Sequence, residues 1–159
     1  MPLSTIRSAI ETILKAADPG SKVYTYRRWI TQPDLLAAEL QPAADGPILV
    51  WMFWLESLAE SLDTFTQSNQ EYVFGLRFYR SLVDADQSEI LATELVQTVR
   101  AAFRADLTLN DAAFSIIPTA GPMRGAVGLQ LDSLQVVTLG GVLCHEASLR
   151  LGVEELTAV

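Results

Sequence analysis

Two apolar runs within Pro47–Val83 decide the fold. The first reads Ile48-Leu49-Val50-Trp51-Met52-Phe53-Trp54-Leu55, and the second reads Tyr72-Val73-Phe74-Gly75-Leu76-Arg77-Phe78-Tyr79-Arg80. Both are rich in aromatic and β-branched residues, which favour strands, and the polar connector Thr64–Gln70 separates them. The pattern predicts two antiparallel strands. Because the first run is apolar on both faces, we expect it in mid-sheet, covered by its own chain or by a neighbouring subunit.

The residues between the two runs are compatible with two structures. Helical spacing is shared by four apolar residues, Leu55, Leu58, Leu62 and Phe65. The first strand could therefore give way to a helical turn, or it could continue into a long hairpin that leaves the body of the protein. We favour the hairpin.

Three segments flanking these runs have the pattern of helices. Leu3–Ala17 is amphipathic and is followed by Asp18-Pro19-Gly20, which ends a helix. Pro33–Leu40 has proline in its first turn, where the missing N–H costs nothing. Ser88–Arg104 can be capped by Asp86 or Ser88. Its predicted buried stripe is Leu91, Leu95, Val99, Ala102 and Phe103.

Further strands are predicted on both sides of the third helix. They are Val23–Trp29, Val127–Leu131, Leu134–Leu139 and Val142–Val153. In the last strand, odd-numbered residues such as His145 and Leu149 alternate with polar ones, which is typical of one buried face. The irregular stretch Ala112–Gly125 predicts a long loop. We therefore expect one α+β domain over residues 1–159, with an antiparallel-dominated sheet, two main helices on one face and a possible projecting hairpin.

Composition limits the function. The chain has 159 residues, half of them apolar, and 19 acidic against 11 basic residues give a net charge of -8. This charge is not typical of a nucleic-acid-binding protein, because binding to the phosphate backbone needs clustered Lys and Arg. Part of its apolar surplus is expected to face partners. One cysteine excludes an intramolecular disulfide, and we expect an aqueous, reducing setting without signal peptide or membrane span.

No pattern of catalytic or metal-binding residues stands out. His145 is the only histidine, and we expect a structural role with a backbone partner. Cys144 precedes it, but adjacent strand residues project to opposite faces, so the two should not form a reactive pair. Glu56 and Glu60 are spaced for one helical face and are interpreted as solvated acids, with a functional negative surface as the alternative. The sequence therefore predicts no enzyme, no cofactor and no metal.

The order of elements resembles a known family. An amphipathic helix, a strand, the apolar strand near residue 50, the connector and a second strand are followed by a long helix. The phrase Asp106-Leu107-Thr108-Leu109-Asn110 comes next, and the chain closes with strands that end in Leu149–Glu154. In this order the chain resembles the tail terminator proteins of long-tailed bacteriophages and the related neck and tail-completion proteins.

That resemblance implies a viral structural protein without catalytic activity. Its subunit would form a homo-hexameric ring that caps the tail tube, stops tube growth and joins the tail to the neck. The partners would be the tail tube protein and a neck or connector protein, with genomic DNA passing through the lumen without specific binding. The protein would be assembled in the host cytoplasm and located in the tail or neck of the virion, with no membrane partner.

Candidate interface residues follow from the polar or aromatic character of the Pro47–Val83 region. For the subunit or tube interface they are Trp51, Trp54, Thr64, Phe65, Gln67 and Asn69, and for an acidic lumen they are Glu56, Glu60 and Asp63. Two other interpretations stay open. The chain could be another head–tail connector or stopper, or a small α+β ligand-binding protein or enzyme whose aromatic pocket is lined by Trp51, Trp54 and Phe78.

Overall fold

The computed structural model describes residues 2–28, 33–44, 46–83 and 86–158, without the side chains of Pro33 and Asp34. In chain order the elements are α1 Leu3–Ala17, β1 Lys22–Tyr24, α2 Pro33–Glu39, β2 Leu49–Thr64, β3 Gln67–Ser81, α3 Ser88–Ala105, β4 Leu129–Leu139 and β5 Val142–Ala158. These bounds confirm the three predicted helices closely, because amphipathic spacing and proline positions mark helix ends directly.

The strands form one sheet in the order β1-β2-β3-β5-β4. β1 runs parallel to β2, and every other neighbouring pair is antiparallel. α1 and α3 pack on one face, here called the helix face. The predicted class, an α+β domain with an antiparallel-dominated sheet and two main helices on one face, is confirmed.

The long hairpin is also confirmed. β2 continues from the apolar run as far as Thr64, and β3 begins at Gln67, so Phe65 and Thr66 form the turn. The spacing of Leu58 and Leu62 does not distinguish a helix from a strand. Residues four apart lie about one turn apart on a helix, and they also lie on the same side of a strand. Two shifts in register, at Leu55/Ser57 and at Leu62/Thr64, further blur the strand pattern.

Apolar side chains from α1 and α3 bury the middle of the sheet on the helix face. Fully buried members include Ile6, Ile10, Leu14, Val99, Phe103, Trp51, Phe74 and Phe78. The predicted stripe of α3 is partly wrong: its buried residues are Ser88, Ala92, Val96, Val99 and Phe103. Leu91 is 38% exposed. The first half of the helix is rotated by one position, which brings the small residues Ser88 and Ala92 against the sheet.

The opposite face of β2 is buried by the same chain. Val50 and Met52 pack with Leu40, Ile48 and other residues in a second core, which the region around α2 covers. The doubly apolar strand therefore needs no neighbouring subunit to bury it. The short helix α2 supplies the cover that the two long helices cannot.

Four predicted strands correspond to three observed strands with different bounds. β1 has three residues instead of the predicted Val23–Trp29, and Trp29 lies outside the described residues. The predicted strands Val127–Leu131 and Leu134–Leu139 form one strand, β4, interrupted by a bulge at Asp132. β5 continues past Val153 to Ala158 because β3 is long enough to pair with it throughout.

The long loop between α3 and β4 folds back over the sheet. Ser115 forms a bridge with Glu154 of β5, and Phe114 N–H donates to the Glu154 carbonyl. Pro118 and Met123 pack so closely on Gly152 that a Cβ there would lie 2.6 and 2.7 Å from their side chains. This loop therefore covers the face opposite α1 and α3, at the place where β2 and β3 leave the body of the protein.

Candidate assembly surface

The β2–β3 hairpin ends in an arm, residues 56–70, whose outer strand is exposed along its whole length. Every residue from 56 to 67 is exposed. Leu58, Leu62 and Phe65 are 56%, 75% and 103% exposed. Leu58 and Leu62 stand opposite Tyr72 and Ser68, which places them on the helix face beyond the helices. An apolar stripe of this kind is typical of a surface that contacts another protein.

The arm is a three-stranded extension of the sheet. β3 pairs with the end of β5 as far as Gln67 with Ala158, so the arm rests on a third strand. On its outer side, β2 pairs with β1 only at Val50, Trp51 and Met52. Among the described strands, no other lies beside the remainder of β2. Its free N–H and C=O groups are therefore available to a strand from another molecule.

A second free edge lies at the far side of the sheet. β4 pairs only with β5 among the described strands, and its outer edge extends over 11 residues. Val136 is 52% exposed on this strand. The only charged residue of β4, Asp132, lies at its bulge and is paired with Arg150 at 2.7 Å. The domain therefore has open edges on opposite sides of one sheet.

Trp51 is not part of the assembly surface. Its side chain is fully buried, its ring stacks on Phe78 with centroids 4.7 Å apart, and its Nε1–H donates to Asp18 at 2.8 Å. The indole is thereby fixed in the core on the helix face. The prediction that Trp51 lies at the interface is therefore wrong.

The prediction that Asn69 lies at the interface is also wrong. It is buried, and its Nδ2 donates to Glu154 Oε1 at 2.8 Å and to Thr119 Oγ1 at 3.2 Å. Its amide therefore joins the arm to the long loop. Thr64, Phe65 and Gln67 are exposed at the arm's tip, and their contact with a partner stays a prediction.

Trp54 lies on the face opposite α1 and α3, half-buried beneath two guanidinium groups. Arg27 Cζ is 4.8 Å and Arg77 Cζ is 5.3 Å from the centre of the ring. Cation–π contacts of this type hold an aromatic ring at a surface. Trp51 and Phe78 belong to the core of the opposite face, so the three side chains do not line a common pocket. The predicted aromatic ligand pocket is wrong.

The three candidate lumen acids are all exposed, but they do not form one row. Glu56 is the extra residue of the first bulge, and its carboxylate lies over Gly75 on the face opposite α1 and α3. Glu60 stands opposite Gln70, whose side chain contacts the hydroxyl of Tyr72 on the helix face. The spacing of four residues therefore does not place the two glutamates on one surface, because the bulge at Glu56 interrupts the alternation of the strand between them. A lumen position for any of the three stays a prediction.

Two buried acids at the base of the arm were missed by sequence reasoning. Glu71 and Glu154 stand opposite each other on β3 and β5, and both are almost fully buried. Glu154 accepts hydrogen bonds from the Thr119 N–H and hydroxyl, and Glu71 Oε1 accepts one from Met123 N–H at 3.0 Å. Burial raises the pKa of Glu71; the Met123 bond opposes this, and the nearby Glu154 charge adds to it. A signal existed: Glu71 falls on the same side of its strand as Val73 and Gly75.

His145 and Cys144 are both buried. His145 Nε2 lies 2.8 Å from the hydroxyl of Ser88, which also accepts a hydrogen bond from Val83 N–H. The predicted backbone partner of His145 is therefore wrong, and its structural role stays a prediction. Cys144 lies on the opposite face in the second core, where burial raises its pKa to about 11. A thiol with this pKa is a poor nucleophile at neutral pH.

Across the described part of the chain, no group of three or more His, Cys, Asp or Glu side chains is arranged to hold a metal ion. No described helix is both long and apolar enough to cross a membrane. No model of a known protein family matches the sequence, and no curated protein is significantly similar to it. The arm with its exposed apolar stripe is therefore the feature from which a function can be argued.

Proposed function

We propose that this protein is a structural subunit of a bacteriophage tail, a tail terminator that assembles as a hexameric ring. The ring caps the tail tube and joins it to the neck. The observation that carries the proposal is the projecting arm, whose outer strand has a free edge and exposes Leu58, Leu62 and Phe65. A monomer gains nothing from exposing these side chains, whereas a ring subunit buries them against its neighbour or the tube.

The two free edges of the sheet are compatible with head-to-tail assembly. A ring repeats one heterologous interface, so each subunit must offer two different complementary surfaces. β4 supplies one surface, and the outer edge of the arm supplies another on the opposite side of the sheet. Strand addition between subunits would satisfy backbone groups that are otherwise left to water.

The charge of the chain is consistent with DNA that slides through a ring. A net charge of -8 repels phosphates, so DNA passing the lumen would not adhere. The arm itself contributes Glu56, Glu60 and Asp63 and has no Lys or Arg between residues 56 and 70. The proposal therefore assigns no specific DNA-binding role to any part of the arm.

The proposal is tested by measuring the mass of the purified protein alone and after mixing with its tail tube protein. We expect a species of six chains, and we expect it to bind the ends of assembled tubes in electron micrographs. A chain that stays monomeric under both conditions would contradict the proposal. A ring that ignores tubes but binds the head–tail connector would instead identify another neck component.

A shortened arm tests whether the arm mediates assembly. Residues Leu62–Ser68 are replaced by Asn-Gly, which closes the hairpin after the paired residues Ser61 and Asn69 with a favoured two-residue turn. We expect a folded subunit with unchanged thermal stability that forms no ring. A shortened chain that still caps tubes would show that the arm is dispensable.

A further inference from the structure

Glu71 is buried beside a second acidic side chain, where the arm joins the body of the protein. It stands directly opposite Glu154 on the adjacent strand, and the two residues are only 3% and 2% exposed. Within the described residues, neither carboxyl group forms an ion pair with a Lys or Arg side chain. Two negative charges buried together repel each other and lack the hydration that bulk water gives. The folded chain is therefore destabilised if both groups are ionised.

The two carboxyl groups differ in the number of hydrogen-bond donors around them. Glu154 accepts from the Thr119 N–H, the Thr119 hydroxyl and the Asn69 amide. Glu71 has one such donor, the Met123 N–H at 3.0 Å from Oε1, and its Oε2 is buried without a hydrogen-bond partner among the described residues. Hydrogen-bond donors stabilise the charged form of a carboxyl group. The charge of the pair is therefore placed best on Glu154, and the proton on Glu71.

The other elements packed against Glu71 bring no charge that would offset its ionisation. On β2 the residue opposite Glu71 is Ala59, and the adjacent acid, Glu60, is exposed. Residues 119–123 of the long loop include no titratable side chain, and Arg124 is exposed. Glu154 is therefore the one charged group that faces Glu71 from the described elements, and its charge has the same sign.

The long loop closes off the unpartnered oxygen of Glu71. A Cβ on Gly121 would overlap Glu71 Oε2, so this oxygen lies directly against the backbone of the loop with no space for a water molecule between them. An ionised Oε2 would need donors that the closed loop does not supply, and leaving a buried charge without them is costly. Water reaches this oxygen only if the loop moves away from the sheet. Ionisation of Glu71 is therefore coupled to the position of the loop.

We propose that Glu71 is a proton-dependent latch for the long loop. With a proton on its carboxyl group, Glu71 keeps residues 121–123 against the sheet, and loss of that proton releases them. Thr119 of the same loop donates to Glu154 and accepts from Asn69, so the release also loosens the contact between the loop and the arm. The latch is a property of the folded chain and does not depend on the proposed tail function.

The direction of the pH effect follows from the environment of Glu71. Burial raises its pKa, the Met123 hydrogen bond opposes this, and the Glu154 charge raises the pKa further. The closed loop is therefore favoured fully below the ordinary glutamate pKa of about 4.3, and it loses this advantage as the pH rises through the raised pKa. Between these two values the equilibrium constant for opening increases by up to about tenfold per pH unit, and at higher pH it levels off.

The experiment follows the full chain by NMR from about pH 4 to about pH 9, which covers glutamates from exposed to fully buried. It records the side-chain carboxyl ¹³C signal of Glu71 and the protection factor of the Met123 amide, which corrects for the intrinsic pH dependence of hydrogen exchange. We expect Glu71 to titrate above the ordinary glutamate range and the protection of Met123 to fall as the pH rises toward that midpoint. A Glu71 that titrates at or below the ordinary value would overturn the proposal. Protection of Met123 that stays constant while Glu71 titrates would also overturn it.

Two variants fix the loop in its two states. Glu71→Gln replaces the protonated acid by a neutral amide of the same shape, so Met123 should stay protected over the whole pH range. Gly121→Ala places a Cβ on Glu71 Oε2 at a residue whose φ is +78°, so the loop should be displaced and Met123 should exchange rapidly at every pH. If one of these variants does not fold, the titration of the wild-type protein and the other variant still decide.

Glu56→Gln is the matched control for the loss of one carboxylate. Glu56 lies over Gly75 on the same face of the sheet as Glu71, but it is exposed. This variant should therefore keep the pH dependence of Met123 protection seen in the wild-type protein. Equal loss of that dependence in Glu71→Gln and Glu56→Gln would overturn the proposal, because the effect would then come from net charge.

Discussion

The two halves of the β2–β3 hairpin have the same strand pairing but are stabilised differently. The base, residues 49–55 paired with 74–80, is covered on both faces by α1, α3 and the region around α2. The arm, residues 56–70, has an exposed outer strand. Where the arm joins the body of the protein, hydrogen bonds of Asn69, Glu71 and Glu154 hold it to the long loop. Apolar burial therefore fixes the base, whereas polar contacts to one loop position the arm.

Trp51→Ala should have the largest effect, because it removes the largest fully buried side chain in the base. Trp51 is fully buried, stacks on Phe78 and donates a hydrogen bond to Asp18. Large-to-small changes of this kind cost about 3–5 kcal/mol. We expect the free energy of unfolding in urea to fall by that amount. Asp18 also loses one of the two side-chain donors that accompany its burial and keeps only the Ser21 hydroxyl.

Trp54→Ala is the matched control for this prediction. Trp54 is only half-buried and contacts Arg27 and Arg77 at the surface of the opposite face. Its loss should cost clearly less than the loss of Trp51. Equal costs would contradict the distinction between a core tryptophan and a surface tryptophan in the base.

The base was predictable from sequence because its signals are local. An eight-residue apolar run and the amphipathic spacing of Leu3–Ala17 depend only on neighbours along the chain. The rotation of α3 was not predictable, since Leu91 and Ala92 are both apolar and only the shape of the sheet decides between them. A core position of Trp51 and a surface position of Trp54 likewise depend on strand parity across the whole sheet.

The anchoring of the arm was not predictable because its partners are far apart in sequence. Asn69, Thr119 and Glu154 come together only when β3, the loop and β5 are all in place. The side of the strand that Glu71 shares with Val73 and Gly75 is a local signal for its burial, but it does not identify the Met123 N–H as its partner. The exposed Phe65 and the long hairpin, in contrast, were predictable as an arm, and its role in assembly stays a proposal.

Gly152→Ala should have an intermediate effect on stability, because it disturbs the contact between the long loop and the sheet next to the arm. A Cβ at Gly152 would lie 2.6 Å from Pro118 Cγ and 2.7 Å from Met123 Cβ, so the loop must move away from the sheet. Overpacking a tight contact costs about 1–3 kcal/mol. We expect that loss in urea unfolding, together with faster hydrogen exchange of the amide of Met123.

Gly75→Ala separates overpacking from the general effect of adding a methyl group to this sheet. The three atoms nearest to its Cβ would all belong to the side chain of Glu56, which is exposed and can swing aside. The substitution should leave the free energy of unfolding within about 0.5 kcal/mol of wild type. A cost as large as that of Gly152→Ala would show that the loop contact is not the cause.

The triple variant Leu58→Ser, Leu62→Ser and Phe65→Ser should have the smallest effect on stability. It tests most directly whether the arm, unlike the base, serves assembly. These side chains are exposed and contribute little to the core, so each change should alter the free energy of unfolding by no more than about 0.5 kcal/mol. Ring formation, measured by mass in solution, should nevertheless be lost. The matched control places serine at three exposed apolar residues elsewhere, Leu35, Ile90 and Phe114. Loss of the ring in the arm variant alone would assign assembly to the arm, whereas equal loss in both variants would contradict that assignment.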